Sequence, residues 1–204
     1  KLIVATHHNG LFISSADGFA PLHDKGKDIA SIYSYDGKTF YCGLWDGNIL
    51  IYNYSNNTSR EIKAGFDKSP VFAFNRISDN SIIAGSFGEG AVVLNTKTLE
   101  VDSSIGKLLP GFQINAIEKD TKNNVWFATE TGVVRYNIGT GKIETFKSLS
   151  KKENGMPYDE NVSDITTDKK GNIWAATRFG LCWYNTKKNK FELITNLKEL
   201  SGKW

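Results

Sequence analysis

Residues 168–194, DKKGNIWAATRFGLCWYNTKKNKFELI, and residues 120–146, DTKNNVWFATETGVVRYNIGTGKIETF, are two copies of one pattern. In each, an Asp precedes a polar turn, an apolar-Trp pair, a small-Thr pair, a turn Gly, a second apolar run and a closing Asn. Apolar runs of four to six residues, rich in Val, Ile, Trp and Tyr and bounded by Gly, Asn and Asp, predict strands. With the run upstream of each copy, four strands follow per unit: 114–117, 125–129, 133–136 and 142–146, then 162–165, 173–177, 181–184 and 190–194. Asn123-Asn124 and Gly171-Asn172 tolerate left-handed backbone between the first two strands.

The same unit extends towards the N-terminus as IVATHHNGLFIS (3–14), FYCGLWDGNILIYN (40–53) and IIAGSFGEGAVVLN (82–95). Gly10, Asn48, Gly90, Gly132 and Gly180 fall at the equivalent turn, spaced by 38, 42, 42 and 48 residues. A period of about 40 to 50 residues with four short strands each predicts an all-β fold, a β-propeller of four-stranded antiparallel blades. The units divide as 1–27 (partial), 28–65, 66–108, 109–155 and 156–204. The first begins at its second strand and little chain follows the last, so about five blades of a larger, seven- or eight-bladed propeller are expected. Asn53, Asn95, Asn137 and Asn185 each close the third strand, where the side chain can start the next hairpin. The small pairs Ala5-Thr6, Cys42-Gly43, Ala84-Gly85, Ala128-Thr129 and Ala176-Thr177 are expected where blades approach closely. Two residues earlier stand Ile3, Phe40, Ile82, Trp126 and Trp174, expected in the same inter-blade layer.

The two best copies resemble the two-component-regulator propeller repeat, built on Asp, Gly-Asn, apolar-Trp, small-Thr and Gly-Leu followed by an aromatic-Asp/Asn turn. Relative to that pattern, Phe40, Ile82 and Ile3 replace the Trp, and Gly43 and Gly85 replace the Thr. The resemblance implies a non-catalytic ligand-sensing segment of a hybrid two-component sensor, on the periplasmic or extracellular side of a membrane-anchored bacterial protein. It further implies recognition of a glycan fragment and signalling to a linked histidine kinase. Its partners would be an oligosaccharide or other small ligand, the remaining blades and domains of the same chain, and in one reading a second copy in a homodimer. The motif folds a blade and carries no catalytic residue.

Composition agrees with a globular chain and names no further partner. Of 204 residues, 40% are hydrophobic and 23% charged, enough to bury a core. The net charge of +3 is spread along the chain and forms no basic stripe for a nucleic acid. No apolar run reaches the roughly 20 residues needed to cross a bilayer, so no membrane contact is expected of this segment.

A search for chemistry gives little. His7-His8 is the one His pair, and with no Cys or carboxylate at ligand spacing nearby, no metal is expected there. Cys42 and Cys182 lie three units apart and are expected to be buried and unpaired. Gly85, Gly88 and Gly90 precede a strand, not the helix a phosphate loop needs, so no cofactor is implied. Propellers bind ligands where variable loops converge around the channel mouth. The turns between second and third strands supply His7, His8, Asn9, Trp45, Asp46, Phe87, Glu89, Glu130, Arg178 and Phe179, and the long loop 148–161 adds Tyr158. Trp45 and Phe87 could stack on sugar faces while the polar members bond hydroxyls. Two other functions stay open: a propeller lyase or glycoside hydrolase using Glu89, Glu130 or His8, and a protein-interaction scaffold.

Overall fold

The computed structural model describes residues 2–23, 26–109, 113–147, 161–178 and 180–194. They form one three-stranded and four four-stranded antiparallel sheets, each a meander in sequence order. The chain divides into two compact units, Lys1–Ser103 and Ser104–Trp204. In the first, blade 1 is β1 (Ile3–Thr6), β2 (Gly10–Ser15) and β3 (Gly18–His23); blade 2 is β4 (Ile29–Tyr33), β5 (Thr39–Leu44), β6 (Asn48–Asn53) and β7 (Thr58–Lys63). Blade 3 is β8 (Val71–Ser78), β9 (Ser81–Ser86), β10 (Ala91–Asn95) and β11 (Val101–Asp102). In the second, blade 4 is β12 (Ile114–Lys119), β13 (Asn124–Thr129), β14 (Gly132–Asn137) and β15 (Ile143–Phe146). Blade 5 is β16 (Val162–Thr167), β17 (Ile173–Thr177), β18 (Gly180–Asn185) and β19 (Lys190–Leu193). The fold is all-β and built of propeller blades, with a single 3-10 turn, Gly106–Leu108, as the described helical element.

The core lies between blades. Alternation along a second strand points successive side chains to opposite faces of its sheet, and within each unit the facing sheets pack on one another. Blades 1 and 2 share Leu11, Ile29, Cys42, Leu44, Leu50 and Tyr52, with Ile3 and Ala5 packed against them. Blades 2 and 3 share Tyr41, Ile49, Val71, Ile82 and Ala84, and blades 4 and 5 share Trp126, Ala128, Phe146, Ile173, Ala175 and Tyr184. Trp126 and Trp174 are core residues as expected, 1% and 5% exposed.

This pattern corrects the alignment of blades 2 and 3 by one residue. Counting from the B-to-C turn, Thr6 pairs with Gly10, Thr129 with Gly132 and Thr177 with Gly180. Gly43 pairs with Ile49 and Gly85 with Ala91, one step further from the turn, where blades 1, 4 and 5 have Ala5, Ala128 and Ala176. Gly43 and Gly85 therefore replace the alanine, and Leu44 and Ser86 stand at the threonine. The Trp126 position is held by Tyr41 and Ile83, while Phe40 and Ile82 face the preceding blade, since a one-residue step reverses the face of the sheet. Ser86 does the threonine's work: its Oγ donates to the Gly90 carbonyl at 3.1 Å, as Thr129 Oγ1 donates to Gly132 at 2.9 Å.

The Asp of the repeat is explained by its hydrogen bonds. Asp168 accepts from the backbone N–H of Lys170 and Asn172, from Asn172 Nδ2 and from Trp174 Nε1 at 2.7–3.0 Å. Asp120 accepts the same set from Lys122, Asn124 and Trp126. One carboxylate thus shapes the turn and satisfies the indole N–H. Partial burial pushes both acids up, but the donors outweigh it: Asp120 is held below its usual range and Asp168 is lowered to about 2. A depressed carboxylate stabilises the fold above its unfolded pKa, about 3.9, and that contribution fades as pH falls towards the folded value. The melting temperature should therefore drop between about pH 4 and pH 2, and the drop should be shallower in Asp168→Asn. Thermal melts of both proteins across this range would show otherwise if the two curves ran parallel.

The closing asparagines act as hairpin starters. The Oδ1 atoms of Asn53, Asn95, Asn137 and Asn185 accept from backbone N–H groups two or three residues on, at 2.9–3.4 Å. Cys42 and Cys182 are both buried and are not joined in a disulfide, and desolvation pushes the Cys182 thiol up to about 12.

Candidate functional site

The B-to-C turns β1–β2, β5–β6 and β9–β10 of the first unit bring aromatic rings together along one edge. His7 meets Trp45 edge-to-face at 4.9 Å between centroids. Trp45 meets Phe72 at 5.6 Å, and Phe72 meets Phe87 at 5.3 Å, all near-perpendicular. Three blades thus contribute to one band of rings, the edge-to-face geometry that aromatic quadrupoles favour. Trp45 is 41% and Phe87 46% exposed, which leaves much of two large apolar side chains in water. Their backbones are held: Trp45 N donates to Asp28 O at 3.0 Å and Phe87 N to Pro70 O at 2.9 Å.

Phe72 and Asp28 were not anticipated from sequence. Phe72 owes its place to a bulge. The register of β8 on β9 slips between Val71 and Ala73, and that of β4, β12 and β16 on their partners slips at the same place. The unpaired residues are Ala30, Phe72, Asn115 and Ser163, and a bulge re-aims a side chain that regular alternation would place elsewhere. Asp28 lies in the link entering β4, twenty residues from His8, whose Nδ1 stands 2.7 Å from Asp28 Oδ1. His7 Nδ1 is 2.8 Å from His8 Nε2. The expectation of no carboxylate near the His pair is thus overturned: the link between blades delivers one that sequence spacing does not show.

A polar rim borders the rings. Asp46 accepts from Asn48 N at 3.0 Å, and Asn48 Nδ2 also donates to Glu61 Oε1 at 2.9 Å. Lys27 Nζ pairs with Glu61 at 2.5 Å. His8 and Asn9 are exposed in the β1–β2 turn, where Asn9 N donates to Thr6 Oγ1 at 3.1 Å. Glu89 is engaged in structure, accepting from Asp67 N at 2.9 Å and so tying its turn to the link before blade 3.

In the second unit the equivalent edge is polar. Glu130 accepts from Gln113 N at 3.0 Å, repeating the role of Glu89. Gln113 Nε2 donates to Asn115 Oδ1, and Asn115 Nδ2 donates to Asn161 Oδ1 and to the Val162 carbonyl. Arg178 is exposed beside this edge. Phe179 and Tyr158, both candidates from sequence, lie outside the described residues. Among the described residues no helix is long and apolar enough to cross a membrane.

No family model matches the chain, and no curated protein matches it in sequence. Solved structures do match in fold. The chain is similar to the extracellular domains of two proteins assigned as hybrid two-component systems of B. thetaiotaomicron. One is 19% identical with a TM-score of 0.75, the other 18% identical with a TM-score of 0.72; each match covers 94% of this chain and 27% of that one. It is also similar to virginiamycin B lyase from Staphylococcus aureus, 14% identical with a TM-score of 0.71 over 96% of this chain and 67% of the lyase. The chain spans about a quarter of the length of those two extracellular domains.

Proposed function

We propose that this chain is a ligand-recognition segment of an extracellular sensor, non-catalytic in itself, that binds a glycan fragment through the aromatic band and relays occupancy to a linked histidine kinase. The observation that carries the reading is the band itself. A run of interlocked rings left open to water costs solvation energy unless an apolar partner covers it, and the flat faces of pyranose rings are such a partner. The rim of Asn9, Asp46 and Asp28 places hydroxyl-bonding groups beside the rings, the mix of apolar floor and few polar groups that small-molecule sites use. The likeness in fold to two-component extracellular domains supports a sensor context, and with it a location outside the cell membrane. Glu89 and Glu130 each accept from a loop amide, which gives both carboxylates a part in holding their turns.

Calorimetry of a panel of neutral and acidic oligosaccharides on the whole sensor region tests this. One class is expected to bind, and Trp45→Ala or Phe87→Ala should weaken it about 5- to 150-fold, on the scale of 1–3 kcal/mol per aromatic stack. A ligand bound equally well by the Trp45→Ala, Phe87→Ala double variant would remove the band from the binding site.

A further inference from the structure

We infer that His7 Nδ1 and His8 Nε2, with Asp28 orienting the second ring, form a binding site for a divalent transition metal, with zinc as the natural probe. The side chains of His7, His8 and Asp28 are gathered so that one candidate atom of each lies within 4.8 Å of the others. The two histidines can share an ion because they occupy the turn between β1 and β2, outside regular strand alternation. His7 Nδ1 and His8 Nε2 face each other at 2.8 Å, a gap in which a hydrogen atom is shared and which opens by a few tenths of an ångström to admit a metal with Zn–N bonds of about 2.0–2.1 Å. On the far side of the ring, His8 Nδ1 meets Asp28 Oδ1 at 2.7 Å. That is the carboxylate–histidine–metal arrangement, in which the acid takes the ring's other N–H, fixes the tautomer and leaves Nε2 free to ligate.

The site is already held in place without an ion. Thr6 Oγ1 accepts from Asn9 N and donates to Gly10 O, which shapes the turn. Asp28 is fixed by the bond from Trp45 N to its carbonyl. All three side chains are exposed, so ligation has no buried-charge cost to overcome and the remaining coordination positions face water. Because the His7 ring lies against Trp45, the ion would sit at one end of the aromatic band, where an open coordination position could take a hydroxyl or carboxylate of whatever the band holds. The inference does not depend on the band binding sugar.

Zinc calorimetry on the intact chain, together with quenching of tryptophan fluorescence by cobalt(II), tests it. One zinc per chain is expected, lost on chelation. Affinity should fall more than 100-fold in the His7→Ala, His8→Ala double variant and about 10- to 100-fold in Asp28→Asn, the cost of removing an orienting acid. Cobalt quenching should shrink in Trp45→Phe while zinc affinity holds. The substitutions lie in an exposed turn and link, and unchanged circular dichroism melts confirm that each variant is folded. No zinc binding by the wild type, or unaltered binding by the folded double-histidine variant, overturns the site.

Discussion

Trp126→Ala is expected to lower stability by about 3–5 kcal/mol, the range for truncating a fully buried tryptophan, and to drop the melting temperature by roughly 10 °C or more. The residue is 1% exposed and sits at the centre of the joint between blades 4 and 5. Its ring stacks on Phe146 at 5.9 Å and meets Tyr184 and Phe191 at 4.9 and 6.1 Å. The Arg135 guanidinium lies 5.1 Å from its centroid and reaches across to Tyr184 Oη at 2.7 Å, while also pairing with Glu144. Removing the indole opens a cavity, takes one donor from Asp120 and strips a face from the Arg135 stack. Trp126→Phe keeps most of the packing and should recover over half the loss. Urea unfolding of the three proteins measures this; a Trp126→Ala change under 1 kcal/mol would show that the blades do not depend on this joint.

Gly43→Ala is expected to destabilise by about 1–3 kcal/mol although it adds a single methyl group. A Cβ built there would lie 2.1 Å from the Val71 carbonyl oxygen and 2.8 Å from Val71 Cβ, atoms of the neighbouring blade's first strand that no rotamer change can move. It would also lie 2.5 Å from Ser31 Oγ, which donates to that same carbonyl at 2.6 Å and binds blade 2 to blade 3. Blades 2 and 3 would have to part, and the Ser31 bond would stretch. Gly139→Ala is the control: the nearest atom to its Cβ would be Asn137 Oδ1 at 3.6 Å, and melting should hardly change. Equal melting temperatures for the two variants would refute close approach as the reason for glycine at position 43.

The architecture was legible because its signals recur. Five Gly-punctuated strand pairs, four Asn hairpin starters and two full copies of the Asp-to-Asn repeat are read independently and agree. The register of blades 2 and 3 was not legible, because Phe40-Tyr41 and Ile82-Ile83 are apolar at both neighbouring positions and give alternation no polar mark. Gly43 and Gly85 added to the ambiguity, being as compatible with a small-residue slot as with a truncated threonine. In the aromatic band, the turn residues His7, Trp45 and Phe87 stood out in the sequence because turns vary where the frame repeats. Phe72 was missed because a bulge leaves no signature in one sequence, and Asp28 because its nearness to His8 is made by the fold.

The clasp of Asp168 on Asn172 and Trp174 is closed within seven consecutive residues and borrows nothing from a neighbour. A segment that carries its own fastening can be copied by tandem duplication and still fold at its new place in an array, whereas a joint such as Arg135 to Tyr184 must be rebuilt with each new neighbour. Blades 4 and 5 both keep this fastening yet differ in the turn that follows, Glu130-Thr131 against Arg178-Phe179, which is how copies of one part come to present unlike surfaces.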